Sequence, residues 1–317
     1  MLDLEYERVL VTGGNGFLGG HIMEALRARG CTELLAPPHI ECDLTIREEA
    51  NTLFESFKPT VVFHLAGVVG GIGANMAHPG KFFYENSLMG IHVIDLCQKW
   101  HVKRVIVAGT VCSYALTPPL PFREEYLWHG YPEATNAPYG ISKLALLTML
   151  HAYRTEYGLK GLYLIPVNLF GPRDNFNPET SHVIPAMIKK MIEAKRGGVS
   201  AVTLWGNGKA SREFLYVADA AEAFVLAAER YDGLEPINLG TGSEITISGL
   251  ARNVARATGY MGEIVWDPSK PNGQPRRCID SSRAAQLLRW KASTGFLDGL
   301  RKTIAWYETK VNPNVPS

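Results

Sequence analysis

Tyr139 and Lys143 stand four apart in Tyr139-Gly140-Ile141-Ser142-Lys143, at the start of a stretch with helical character. Residues at i and i+4 share a helix face, so the phenol and the ammonium point the same way. An ammonium beside a phenol favours the phenolate and lowers its pKa, which suits a group that trades a proton as carbonyl and alcohol interconvert. Alone, this spacing also fits a surface helix carrying one tyrosine. It gains weight from Thr12-Gly13-Gly14-Asn15-Gly16-Phe17-Leu18-Gly19, a glycine-rich turn between an apolar run and a helical pattern. Glycines there let the backbone turn tightly and approach a pyrophosphate, which the free N–H groups of a helix start then face. Gly13, Gly16, Phe17, Leu18 and Gly19 are candidate dinucleotide contacts.

Such a pair of motifs needs strand ends and helix starts gathered at one edge. The apolar runs Arg8–Thr12, Glu33–Ala36, Thr60–Leu65, Arg104–Ala108 and Leu162–Asn168 read as strands. They alternate with helical patterns over His21–Arg29, Ile46–Phe57, Lys81–Trp100 and Tyr139–Tyr157. β-Branched runs separated by helices predict a parallel sheet covered on both faces. The expected class is therefore α/β, a doubly wound parallel sheet of Rossmann type. Beyond Phe170-Gly171-Pro172 the chain turns to Asn-, Pro- and Gly-rich loops with short helices such as Val183–Ala194. Glu235–Gly240 reads as a strand returning to the sheet, so a smaller C-terminal substrate domain is interleaved with the first. The division expected is 1–171 plus 214–248 for the dinucleotide-binding domain and 172–213 plus 249–317 for the substrate domain.

Composition narrows the class. The 317 residues are 46% apolar and 20% charged, with a net charge of +1. No global basic field argues for nucleic acid or an anionic membrane. No apolar run approaches the roughly 18 residues of a membrane span, and the acidic start Met-Leu-Asp-Leu-Glu-Tyr-Glu-Arg is unlike a signal peptide. Cys31, Cys42, Cys97, Cys112 and Cys278 form no Cys-x-x-Cys pair and no zinc spacing, so no metal site is expected. Their odd number in a long chain fits a reducing, cytoplasmic setting better than a disulfide framework.

The second predicted strand ends Ala36-Pro37-Pro38-His39. It lacks both the acidic residue that would bind the ribose hydroxyls of NAD and the arginine that would accept the NADP phosphate. Asp43, in Cys42-Asp43-Leu44-Thr45, either caps a helix or contacts the adenine side. The next strand runs into His64-Leu65-Ala66-Gly67, with small residues where a cofactor could pass. Another runs into Ala108-Gly109-Thr110-Val111-Cys112-Ser113-Tyr114. There Thr110 is either a β-branched strand end or a hydroxyl that shares a substrate-carbonyl proton with Tyr139.

The glycine loop, Thr110, Tyr139 and Lys143 together resemble the extended short-chain dehydrogenase/reductase superfamily. Five further segments resemble the GDP-L-fucose synthase family across nearly the whole chain. They are His64 to Asn75, Pro166-Val167-Asn168-Leu169-Phe170-Gly171-Pro172-Arg173-Asp174-Asn175-Phe176, Ser181-His182-Val183-Ile184-Pro185, Trp205-Gly206-Asn207-Gly208 and Arg212-Glu213-Phe214. The resemblance implies epimerisation of GDP-4-keto-6-deoxy-mannose at C3 and C5, then reduction of its C4 ketone. NADP(H) is the favoured cofactor and NAD(H) the alternative. Thr110, Tyr139 and Lys143 would serve reduction, with Cys112 as base and His182 as acid in epimerisation. Implied cofactor contacts beyond the loop are Asp43, Leu44, Leu65, Ala66, Gly67, Lys143, Pro166, Asn168, Leu169 and His182. Implied substrate contacts are Asn168, Lys190, Trp205, Arg212 and Arg277, and a homodimer through Lys81–Trp100 and Tyr139–Tyr157 is implied as well. The chain departs from the family in carrying Thr110 where serine is usual and Ala115 where proline is common. It also lacks an arginine that many members carry in or near the nucleotide region. The alternative reading is a C4-reductase or dehydrogenase of a related GDP-dideoxy-hexose or GDP-heptose, without full epimerisation.

Overall fold

The computed structural model describes residues 2–311. The chain runs β1 (Val9–Thr12), α1 (Phe17–Ala28), β2 (Leu34–Leu35), α2 (Arg47–Phe57), β3 (Val61–His64), α3 (Ile72–Ala77) and α4 (Pro79–Lys99). There follow β4 (Arg104–Ala108), α5 (Ala137–Tyr157), β5 (Gly161–Pro166), β6 (Asn168–Phe170), α6 (Val183–Arg196), β7 (Ala201–Trp205) and β8 (Ser211–Tyr216). The rest is α7 (Val217–Arg230), β9 (Ile237–Leu239), β10 (Glu244–Thr246), α8 (Ile247–Thr258), β11 (Glu263–Asp267), α9 (Ser282–Leu288) and α10 (Phe296–Trp306).

Six parallel strands form the main sheet in the order β2-β1-β3-β4-β5-β9. Every residue of β1, β3 and β4 is buried, as the unbroken apolar runs require of a sheet covered on both faces. Each such Val, Ile or Phe contributes on the order of 1.5–3 kcal/mol by leaving water. The strand order reverses between β1 and β3, the place where open α/β sheets bind ligands beyond their strand ends. The expected strand at Glu235–Gly240 is β9, at the sheet edge beside β5.

A second core gathers Ile184, Met187, Ile188 and Met191 of α6, Leu250 and Val254 of α8, Phe214 of β8 and Leu300 of α10. It rests on two small sheets, β10-β8-β6 and β11-β7. The chain crosses between the cores more than once. α7 packs on α1, while Ile279, Ala284, Leu288 and Trp290 belong to the first core. Among the described residues no helix is long and apolar enough to cross a membrane, and no group of side chains is arranged to hold a metal ion. All five cysteines are free.

Candidate active site

The loop between β1 and α1 meets the end of β3 at the switch point. A methyl group on Gly13 would stand 2.7 Å from the Ala66 backbone nitrogen, and Gly13 itself has φ +72°. Only glycine meets both demands. Gly16 caps α1 without a side-chain hydrogen bond, so the first amides of the helix remain available to an anion. A cavity of about 680 Å³ opens against this loop and is lined by Gly14, Asn15, Gly16 and Phe17, by Leu34 and Ala36 of the β2 side, and by Arg173. Uncapped amides, close backbone approach and an adjoining cavity fit a dinucleotide phosphate chain. Asp43 is engaged locally, its carboxylate accepting from the Thr45 amide at 2.9 Å and hydroxyl at 2.7 Å. Leu44 is buried in the first core.

From Ala66 a strap of small residues leads out of the sheet to α3. Asn86 of α4 holds it, donating to the Val68 carbonyl and accepting from the Val68 amide, both at 3.0 Å. At Gly71 a methyl group would lie 2.7 Å from the Ser181 carbonyl oxygen, so the strap touches the segment that carries His182. Further on, Gly73 approaches Trp205 and Ile72 approaches Gly273, beside Arg212. The strap therefore joins the nucleotide loop to the second core.

The candidate proton-handling groups meet where the segment after β4 packs against the start of α5. Thr110 follows β4, and its hydroxyl oxygen accepts from the Cys112 amide at 3.2 Å, capping a tight turn over Val111–Ser113. Ser113 Oγ donates to the Gly140 carbonyl at 2.9 Å, fastening that turn to α5. The Thr110 hydroxyl bonds the Tyr139 phenol, and the Phe82 ring meets Tyr139 edge-on at 6.3 Å.

The sequence reading has Lys143 lowering the Tyr139 pKa, and the structure corrects it. Burial lifts the phenol well above its ordinary value and Cys112 adds to the rise, against which the Thr110 bond lowers it. Lys143, 2% exposed, is itself brought down to about 8 by burial. Its neighbour His64 donates to or accepts from the Thr12 hydroxyl through Nδ1 at 2.9 Å. Burial, and then the Lys143 charge, push the His64 pKa down to about 3, so its ring stays neutral.

Cys112 is half-buried, and its sulfur accepts from Arg277 Nη1 at 3.6 Å. Arg277 is held by Gln274 Oε1 at 3.1 Å, while Gln274 donates to the Leu116 carbonyl at 2.7 Å. Arg212 joins the cluster. Burial and the nearby Arg277 pull its pKa down to about 10, opposed by Cys112. Glu213 lies between these arginine-bearing segments and is fully buried. Its carboxylate accepts from the amides of Gly242 at 2.7 Å and Ile279 at 2.9 Å. Sequence reasoning gave no role to Glu213, Gln274, Asn86 or Arg173, because a charged or amide residue in a loop, a strand or the middle of a helix such as α4 reads as solvated.

His182 precedes α6 as its N-cap residue, with no side-chain cap bond. The residue is exposed at the surface, and desolvation by the protein atoms around its ring lowers its pKa. Asn168 donates to the Glu213 carbonyl at 2.9 Å. Pro166 ends β5, and Leu169 lies on β6. Trp205 is 52% exposed, with the Lys270 ammonium 5.6 Å from its ring centre. Lys190 is exposed and donates to the Thr203 carbonyl at 2.8 Å. Thr110, Cys112, Tyr139, Arg212 and Arg277 thus form one connected cluster. Lys190 stands apart from it, on the α6–β7 side.

Residues 9–240 match the NAD dependent epimerase/dehydratase family. The chain belongs to that family. Within it, the chain is 39% identical to the probable GDP-L-fucose synthase 1 of Oryza sativa subsp. japonica over 305 residues, 96% of this chain and 93% of the rice protein. It superposes with a TM-score of 0.91 on a GDP-6-OMe-4-keto-L-xylo-heptose reductase from C. jejuni at 27% identity, covering 96% of this chain and 99% of that one. A GDP-L-fucose synthetase from Naegleria fowleri, bound to NADP, gives a TM-score of 0.88 at 27% identity over 96% of this chain and 94% of the other. The epimerase/dehydratase match covers the glycine loop, the Tyr139–Lys143 pair and β9 alike.

Proposed function

We propose that this enzyme makes GDP-L-fucose from GDP-4-keto-6-deoxy-D-mannose, epimerising C3 and C5 and reducing the C4 ketone with NADPH. The observation that carries the reading is the cluster in which Thr110 bonds Tyr139 while Cys112, two residues on, sits under Arg277. The bound nicotinamide would supply hydride to C4. Gly13, Gly16, Phe17 and Gly19 would cradle its phosphates, and Lys143 would hold its ribose. Tyr139 gives the proton to the C4 oxygen, with Thr110 donating to the phenol oxygen and so stabilising the charge left there. In epimerisation Cys112 removes a proton beside the ketone, and His182 returns one on the opposite face. Burial lowers the His182 pKa, which makes its protonated form the stronger acid. Thr110 and Tyr139 steady the enolate oxygen in the manner of an oxyanion hole.

Arg212 and Arg277 present two guanidinium groups suited to bidentate contact with the GDP diphosphate. Lys190, Trp205 and Asn168 would serve the nucleotide and sugar from the second core. The preference for NADPH draws on Ala36, which puts no carboxylate at the end of β2 to repel a 2′-phosphate. A homodimer would form through α4 and α5, where Phe83, Tyr84, Ile91 and Tyr157 are exposed.

Incubation with GDP-4-keto-6-deoxy-mannose and NADPH, followed by NMR of the product, tests the reading, with GDP-L-fucose expected. The likeness to the heptose reductase favours a second reading, C4 reduction of a related GDP-sugar. A reduced but unepimerised sugar would replace the first reading with that one.

A further inference from the structure

Arg173 plays no part in the relay or in the arginine pair behind Cys112, yet its placement is specific. It follows Gly171-Pro172 beyond β6 and has φ 71°, in the left-handed region that side chains other than glycine rarely enter. That backbone turns the side chain back onto α1. Arg173 Nη2 lies 2.7 Å from Glu24 Oε2 and 3.0 Å from His21 Nδ1. The other ring nitrogen of His21 meets the Pro172 carbonyl at 3.1 Å. The loop is thereby clipped across the first two turns of the helix. A methyl group on Gly20 would stand only 3.2 Å from Arg173 Nη1, so the guanidinium passes over the fourth residue of α1, one turn from its uncapped start.

The same guanidinium lines the cavity at the nucleotide loop, together with Asn15, Gly16 and Phe17. The loop itself carries no cation. Arg27, the other arginine of that wall, lies ten residues beyond Phe17, about 15 Å along the helix. Lys143 stands on the far side of the loop, toward Gly67, so a diphosphate on the α1 amides would find Arg173 as the cation on the helix side of the cavity. The partner Arg173 now holds is easily given up. Glu24 is 57% exposed and Arg173 36% exposed, and ion pairs this open contribute little.

We propose that Arg173 is a clamp on the dinucleotide diphosphate, exchanging Glu24 for a phosphate oxygen and closing the loop after β6 over the cofactor. A planar guanidinium suits two oxygens of one diphosphate. The inference rests on dinucleotide binding at the β1–α1 loop and is independent of which sugar is the substrate.

The test is calorimetric titration of the full chain with NADP⁺ and separately with NAD⁺. The proteins compared are wild type, Arg173→Met, Arg173→Lys and Glu24→Gln. The clamp predicts that Arg173→Met weakens both dinucleotides by the same factor, about tenfold or more, as loss of a charged hydrogen bond implies. Arg173→Lys recovers part of that loss. Glu24→Gln breaks the ion pair but keeps the cation, and binds both dinucleotides at least as tightly as wild type. Unchanged affinity in Arg173→Met overturns the clamp. So does a loss confined to NADP⁺, which would put the charge on the 2′-phosphate. Weakening in Glu24→Gln as large as in Arg173→Met would make the pair merely structural. If Arg173→Met does not fold, the Lys and Gln variants still decide. Failure of wild type to bind either dinucleotide would instead sink the reading of the loop itself.

Discussion

Thr110 caps the turn that follows β4, while Tyr139 and Lys143 lie in the first turns of α5, to which Ser113 and Gly140 fasten that turn. Cys112 shares the turn that Thr110 caps, but its partners His182, Arg212 and Arg277 come from a helix start, the strand β8 and a loop far along the chain. The first set is prebuilt by the sheet. The second exists only where the strap of residues 66–75 and the buried Glu213 hold distant segments together. Reduction is therefore expected to tolerate changes in the second core, while epimerisation and substrate binding should not.

The largest effect should come from Tyr139→Phe. Loss of the proton donor is expected to cut C4 reduction about a thousandfold, read as NADPH oxidation with saturating keto-sugar, while proton exchange beside the ketone continues. Loss of both activities together would mean that the two sets are one. Next, Cys112→Ser should slow epimerisation by about a hundredfold or more, because a serine hydroxyl scarcely ionises at neutral pH and supplies almost no anion to act as the base. Cofactor affinity should be unchanged, and an unaltered yield of epimerised product would make Cys112 structural. Arg277→Met should raise the KM for the GDP-sugar by about tenfold and slow epimerisation more than reduction. An effect on NADPH binding instead would place Arg277 in the other set.

One pH dependence sharpens the contrast. With its pKa raised, Tyr139 stays protonated through neutral and mildly alkaline conditions. Lys143, brought down to about 8, loses its charge first. The rate of reduction should fall as pH rises through about 8, and a flat profile there would remove Lys143 from the relay.

The smallest effect concerns Asp174. Burial raises its carboxyl from 3.8 to about 7, against the lowering bond from the Asn175 amide. The folded chain then holds a proton that the unfolded chain releases. The stability linked to this group is full below about pH 4 and is lost as pH rises toward 7. Asp174→Asn should flatten that slope, so its Tm should gain a few degrees on wild type as pH increases across the window. A parallel Tm profile would contradict the assignment.

Much of the first core was legible because its strands are buried on both faces and its helices are not. β4 and the C-terminal ends of α2 and α5 fall where periodicity and glycine place them. α7 escaped for the opposite reason. In Val217–Arg230 ten of fourteen residues are buried, so only a thin polar edge, Glu222 and Glu229, marks it as a helix. β8 escaped because Arg212 and Glu213 read as surface, although all six of its residues are buried and Glu213 is satisfied by amides far along the chain. The glycine loop and the Tyr139–Lys143 spacing are local and could be read directly. The sign of the Tyr139 shift could not, because it depends on burial that only the folded chain creates.

The most direct test of separable sets is Tyr139→Phe incubated with GDP-4-keto-6-deoxy-mannose in deuterated water, with NADPH present, and followed by NMR. Deuterium entering at C3 and C5 while the C4 ketone persists is the predicted result. No deuterium at either carbon, or continued reduction at C4, would contradict it.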